Sequence, residues 1–149
     1  MSLGDLFPKK LKSNFANRSI DIGKSILVKI DDIDVKYPKY IIIVSKSEEE
    51  ILLAYVIINT EINEKVFPTE YLKSPHVLID RNNHQFLDYD SYVNCSEIRV
   101  FKTDEIVSFL ISNPERALGN VNDDVMKLIH LTITNARTIP RLLKVKFGF

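Results

Sequence analysis

Residues 40–58 read YIIIVSKSEEEILLAYVII, two apolar runs around the polar link Ser45-Lys46-Ser47-Glu48-Glu49-Glu50. Each run is too short for an ordinary helix and is rich in Ile, Val and Tyr, the side chains that fit a pleated surface. The pattern predicts a β-hairpin with a loop longer than the tightest two-residue type. Neither arm alternates: Ile41, Ile42, Ile43 and Val44 are all apolar, and so is the whole of 51–58. Both faces of the hairpin should therefore be covered, which places it at the centre of the core.

Upstream, Ile22-Gly23-Lys24-Ser25-Ile26-Leu27-Val28-Lys29-Ile30 alternates, with Ile22, Ile26, Val28 and Ile30 on one side, as a half-exposed strand does. The charged stretch Asp31-Asp32-Ile33-Asp34-Val35-Lys36-Tyr37-Pro38 joins it to the hairpin. Its aspartates lack the glycine and the closing glutamate of a calcium loop, so a solvated turn is expected. Residues 1–20 form an N-terminal arm or short helix, with Phe7, Leu11 and Phe15 at helical spacing.

Downstream, a turn is expected over 71–76, a strand over 75–80 and a longer strand over 92–101, with turn chemistry at Arg81-Asn82-Asn83 between them. From Thr103 the period becomes helical. Thr103 can cap a helix near 103–112, and Asn113-Pro114-Glu115 opens a short helical turn that Gly119 can end. Asn122 caps a helix near 122–137, with Val125, Leu128, Ile129 and Ile133 as its apolar face. The basic, apolar end, 141–149, reads as a final strand or an exposed tail. Strands first and helices late give an α+β class, mainly β, with a single domain over 21–149.

Composition narrows function only by exclusion. At 149 residues, with 20 Lys+Arg against 20 Asp+Glu, the chain has no global field favouring nucleic acid or acidic lipid. The longest apolar run is far short of a membrane span, no secretory leader is visible, and Cys95 has no disulfide partner. A cytoplasmic protein without membrane attachment is expected.

Three constellations could carry chemistry. His76, His84, Asp88, Asp90 and Cys95 supply metal donors, but at spacings that match no zinc pattern. Against that, Asp88, Asp90 and Ser91 suit backbone bonding in a turn. Cys95 with His84 or His130 could form a nucleophilic pair, although a thiol inside a strand is more often buried and inert. The third lies at the open end of the hairpin. There Lys36, Lys39 and Tyr40 come opposite about 57–60, so basic groups and the Thr60 hydroxyl meet at one rim, able to hold a phosphate. Register decides which of them share a face.

Four stretches together resemble one family. Asp21-Ile22-Gly23-Lys24-Ser25-Ile26-Leu27-Val28 is similar to its opening strand, and Lys39-Tyr40-Ile41-Ile42-Ile43-Val44-Ser45 to its second. Ser91-Tyr92-Val93-Asn94-Cys95-Ser96-Glu97-Ile98-Arg99-Val100 resembles the strand before its helix, and Ala117-Leu118-Gly119-Asn120-Val121-Asn122-Asp123-Asp124-Val125 the entry to its last helix. In order and spacing, residues 21–136 resemble a divergent member of the PemK/MazF-like toxins. The resemblance implies a small SH3-like, partly open β-barrel of PemK/MazF/CcdB type with C-terminal helices, a homodimer and an antitoxin partner. It also implies cleavage of single-stranded RNA with no metal or cofactor. Carried over, Lys39 stands where the family has the arginine of an Arg-Pro pair, and Thr60 is the nearest hydroxyl. Lys39 and Thr60 become the catalytic candidates, and Lys36 and Lys39 the phosphate-binding ones. Tyr40 replaces the proline, and lysine lacks the bidentate fork of arginine. A non-catalytic protein-binding module on the same barrel is the alternative, favoured by the balanced charge.

Overall fold

The computed structural model describes residues 9–28 and 38–149, with the side chains of 9–13 excluded. Lys36 and the aspartates of 31–34 therefore lie outside the described residues, as do Phe7 and Ile30. In chain order the elements are α1 (Lys9–Arg18), β1 (Lys24–Val28), β2 (Lys39–Lys46), β3 (Leu52–Asn59), α2 (Glu70–Lys73), β4 (His76–Ile79), β5 (Ser91–Lys102), α3 (Thr103–Ser112), β6 (Ala117–Asn120), α4 (Asp123–Asn135) and α5 (Arg141–Phe147). The strands form one antiparallel sheet in the order β4-β5-β3-β2-β1-β6, curled into a half-barrel with open edges at β4 and β6. This is the mainly-β, partly open barrel with late helices that the sequence led us to expect.

The hairpin of β2 and β3 sits in the middle of that order and is buried on both faces. On one side Ile42, Val44, Ala54, Val56 and Ile58 meet Ile129 and Ile133 of α4 and Phe147 of α5. On the other, Ile41, Ile43, Leu53, Tyr55 and Ile57 meet Ala16 of α1 and Ile106 and Leu110 of α3. Non-alternating strands are thus required by two cores that share one hairpin. The ladders slip at one level of the sheet. In β2 the slip lies between Ile43 and Ser45. Between β3 and β5, the step from Tyr55 to Ile57 is matched by the longer step from Arg99 back to Asn94. These are bulges, which leave unpaired residues and bend the strand.

Several sequence expectations are corrected. The first strand begins at Lys24: Gly23 takes a left-handed φ of +91°, and Ile22 turns outward, 56% exposed. Ser25 is buried rather than solvent-facing, because its Oγ donates to the Gly119 carbonyl of β6. That sixth strand occupies residues read as the end of a helical turn; only Pro114–Arg116 is helical there. The 71–76 segment is not only a turn, since α2 forms behind Thr69, whose Oγ1 accepts the Leu72 N–H. Thr103 does not cap α3. It is the first helical residue, and it donates from Oγ1 and from its amide to Glu50 and Ile51 of the hairpin turn. Asn122 does cap α4, accepting from Asp124, but Leu128 lies off the buried stripe.

The C-terminal stretch is a helix, neither strand nor tail. Pro140 stands at its N-cap, and Gly148 ends it in a left-handed turn. Leu143 and Phe147, four residues apart, face the core, and Leu142 and Val145 point outward. Alternation read in so short a stretch cannot separate the two periods. Among the described residues no helix is long and apolar enough to cross a membrane.

Candidate functional site

The register at the open end of the hairpin pairs Tyr40 with Ile58 and Ile41 with Ile57. Lys39 therefore shares a face with Ile41 and Ile57, and its nearest neighbour on β3 is Asn59. Its Nζ donates to Asn59 Oδ1 at 3.1 Å. Asn59 in turn lies opposite Tyr92 of β5. Lys39 and Asn59 lie outside the apolar cluster beneath α1 and α3, and both remain half-buried. The face opens here into two grooves that share Lys39 and Asn59.

One groove, of about 900 Å³, is also lined by Thr60, Lys65, Lys73 and Tyr92. Thr60 is exposed, one residue past the end of β3. The structure thus brings Lys39 and Thr60 to the same groove but gives Lys39 to Asn59 as its direct partner. The other groove, of about 610 Å³, is lined by His76, Asn94, Glu97 and Arg99 beside Lys39 and Asn59. Arg99 Nε donates to Glu97 Oε1 at 3.1 Å. Asn94 Oδ1 accepts from both the amide and the hydroxyl of Ser96. Asn59, Asn94, Glu97 and Arg99 are additions that sequence reasoning missed. Opposite charges two apart on a strand share a face, and that spacing was the available signal for Glu97 and Arg99.

His76 lies opposite Asn94 at the start of β4. Its Nδ1 is 3.0 Å from the Lys73 carbonyl, and the Phe67 ring packs edge-on at a centroid distance of 4.4 Å. Burial lowers its pKa below the usual 6.5, and the bond to Lys73 only partly opposes this.

The other constellations are structural. His84 is buried between backbone groups: Nδ1 lies 2.8 Å from the Asp80 carbonyl, and Nε2 accepts the Asn122 N–H at 3.0 Å. Both nitrogens are thereby engaged. Asp90 Oδ1 accepts the Arg81 amide, and Ser91 Oγ donates to the Tyr89 carbonyl. Among the described residues no three His, Cys, Asp or Glu side chains gather to hold an ion. His130 packs against Phe149. Cys95 is fully buried, and desolvation pushes its thiol up to about 12, so no thiolate forms at neutral pH. We expect native protein to give no reaction with a thiol-specific disulfide reagent over an hour at about neutral pH, and full reaction in denaturant. Rapid native labelling would contradict this burial.

No protein-family model matches the chain, and no curated protein matches its sequence. Solved structures do match. The Mycobacterium tuberculosis toxin MazF-mt6 aligns over 78% of this chain and 98% of its own, with a TM-score of 0.52 at 14% identity. The chain has a MazF-type fold.

Proposed function

We propose that this protein is the toxin of a toxin–antitoxin pair, a cytoplasmic homodimer that cleaves single-stranded RNA without a metal ion. The observation that carries the reading is Lys39, at the open end of the central hairpin, held toward Asn59 where two grooves meet. A ribose 2′-hydroxyl attacks the adjacent phosphate, the P–O5′ bond breaks, and a 2′,3′-cyclic phosphate and a 5′-hydroxyl result. Charge gathers on the non-bridging oxygens, where the Lys39 ammonium stabilises it and then protonates the departing 5′-oxygen. The Thr60 hydroxyl, on the wall of the shared groove, donates a further hydrogen bond. Lys36 adds phosphate contact from outside the described residues.

The test is incubation of the purified protein with mixed-sequence RNA in chelator. Cleavage should fall about a hundredfold in Lys39→Ala and less in Thr60→Ala. Dependence on added divalent metal, or an unaffected Lys39→Ala, would refute the assignment. Balanced charge, and an ammonium already engaged by Asn59, favour a second reading: a non-catalytic module that binds a protein on the same barrel. Intact RNA, together with recovery of a tight protein partner, would select it, whereas a small acidic antitoxin encoded by the neighbouring gene would favour the toxin reading.

A further inference from the structure

In the proposed cleavage the attacking 2′-hydroxyl needs an acceptor for its proton besides Lys39 and Thr60, which only donate. His76 lines the 610 Å³ groove with Lys39 and Asn59, and its orientation is fixed. A carbonyl oxygen only accepts, so the contact with Lys73 places the hydrogen on Nδ1 and leaves the lone pair on Nε2. Among the described residues Nε2 meets no hydrogen-bond partner, and no buried side-chain nitrogen or oxygen lacks one, so Nε2 is open to solvent. The Phe67 ring holds the imidazole from the side. On β5, Asn94 lies opposite both His76 of β4 and Ile57 of β3, and Asn59 is two residues farther along β3, so two strand spacings and two residues of rise, about 12 Å, separate the backbones of Asn59 and His76. That interval suits one ribose and its phosphate.

We propose that His76 Nε2 accepts the 2′-hydroxyl proton as the new P–O2′ bond forms, so that His76 is a catalytic residue of the RNA cleavage assigned above. The inference rests on that assignment. His76 gains one proton, Lys39 gives one to the 5′-oxygen as the P–O5′ bond breaks, and exchange with water restores both groups. No oxidant, metal or further reactant is needed. Glu97 is the competing base, but its carboxylate is engaged by Arg99 and half-exposed, so it stays strongly solvated. Lys39, Glu61, Glu97 and Arg99 are the other ionisable groups lining this groove, and Lys73, whose carbonyl holds His76, pairs its ammonium with Glu64. Burial keeps the His76 imidazole neutral, and so able to accept a proton, at ordinary pH.

The experiment measures cleavage of mixed-sequence RNA in chelator between about pH 5 and pH 9 for the wild-type protein, His76→Ala and His76→Asn, with thermal melts of each. Wild-type cleavage should fall on the acid side with a midpoint below 6.5. His76→Ala should be about a hundredfold slower, lose that acid limb and regain rate with added imidazole. His76→Asn keeps an N–H donor at the position of Nδ1 for the Lys73 carbonyl and has no group at the position of Nε2, so it should melt as wild type and be equally slow. An active His76→Ala with an unchanged pH profile would overturn the His76 role alone. So would a lost rate that follows a lowered melting temperature and is not recovered by imidazole. A wild-type protein that cleaves no RNA under any of these conditions would overturn the cleavage assignment itself, and this role with it.

Discussion

Ile42→Ala should lower the free energy of unfolding by about 4 kcal/mol. Ile42 is fully buried in β2, opposite Ser25 of β1 and Val56 of β3, and belongs to the cluster that contains Ile129 and Ile133 of α4. Removing three carbons takes away their transfer free energy and leaves a cavity. Strands on both flanks and a helix above give its walls little freedom to collapse, so the cost should lie in the upper part of the usual range. A domain of this size is stable by about 5–15 kcal/mol in total, so one methyl-bearing side chain carries a large share. Urea unfolding followed by circular dichroism should show a lower midpoint with an unchanged slope. Ile51→Ala, at an exposed position in the hairpin turn, serves as the control and should change stability by less than about 0.5 kcal/mol. Equal effects at the two positions would contradict the burial pattern.

His84→Ala should cost a comparable amount, about 4 kcal/mol, by a different route. The imidazole is the acceptor for the Asn122 amide at the start of α4 and the hydrogen-bond partner of the Asp80 carbonyl just after β4. It therefore ties the loop between β4 and β5 to the helix that covers the core. Its loss leaves a void and two part-buried backbone groups unpaired. His84→Phe separates the terms, since it restores volume but not the hydrogen bonds and should recover only part of the loss. Full stability in His84→Phe would mean that packing alone mattered. The measurement is the same urea midpoint.

His84 also marks where sequence reading stopped. A buried histidine that bridges two backbone groups has the same letter as a metal ligand or a catalytic base, and His76 and His84 differ only in what the fold places around them. The central hairpin was legible because a non-alternating run of Ile and Val leaves no exposed face. The position of Lys39 at the open end was legible because the hairpin arms fix which ends meet. Asn59 was not, since only the register chooses between it and Thr60 as the partner of Lys39. β6 escaped because Ala117, Leu118, Gly119 and Asn120 have little strand propensity; they extend because β1 offers an unpaired edge and Ser25 a hydroxyl. The final helix was missed because the mixed apolar and basic residues of 141–149 fit either period, and only the pairing of a proline start at 140 with a glycine end at 148 favours the helix.

The line of bulges has a consequence for how sequence change reaches the groove. In an uninterrupted strand, a shift of one residue at the turn would travel to the far end and invert every side chain on the way. Here the irregularities at Ile43–Ser45, at Tyr55–Ile57 and along β5 from Asn94 to Arg99 interrupt that transmission. The two ends of the hairpin keep separate phases. Lengthening or shortening the turn after Lys46 can be absorbed at the break, and Lys39 still faces Asn59. The site's frame is set by its own cross-strand rows, leaving the opposite end of the barrel free to vary in length.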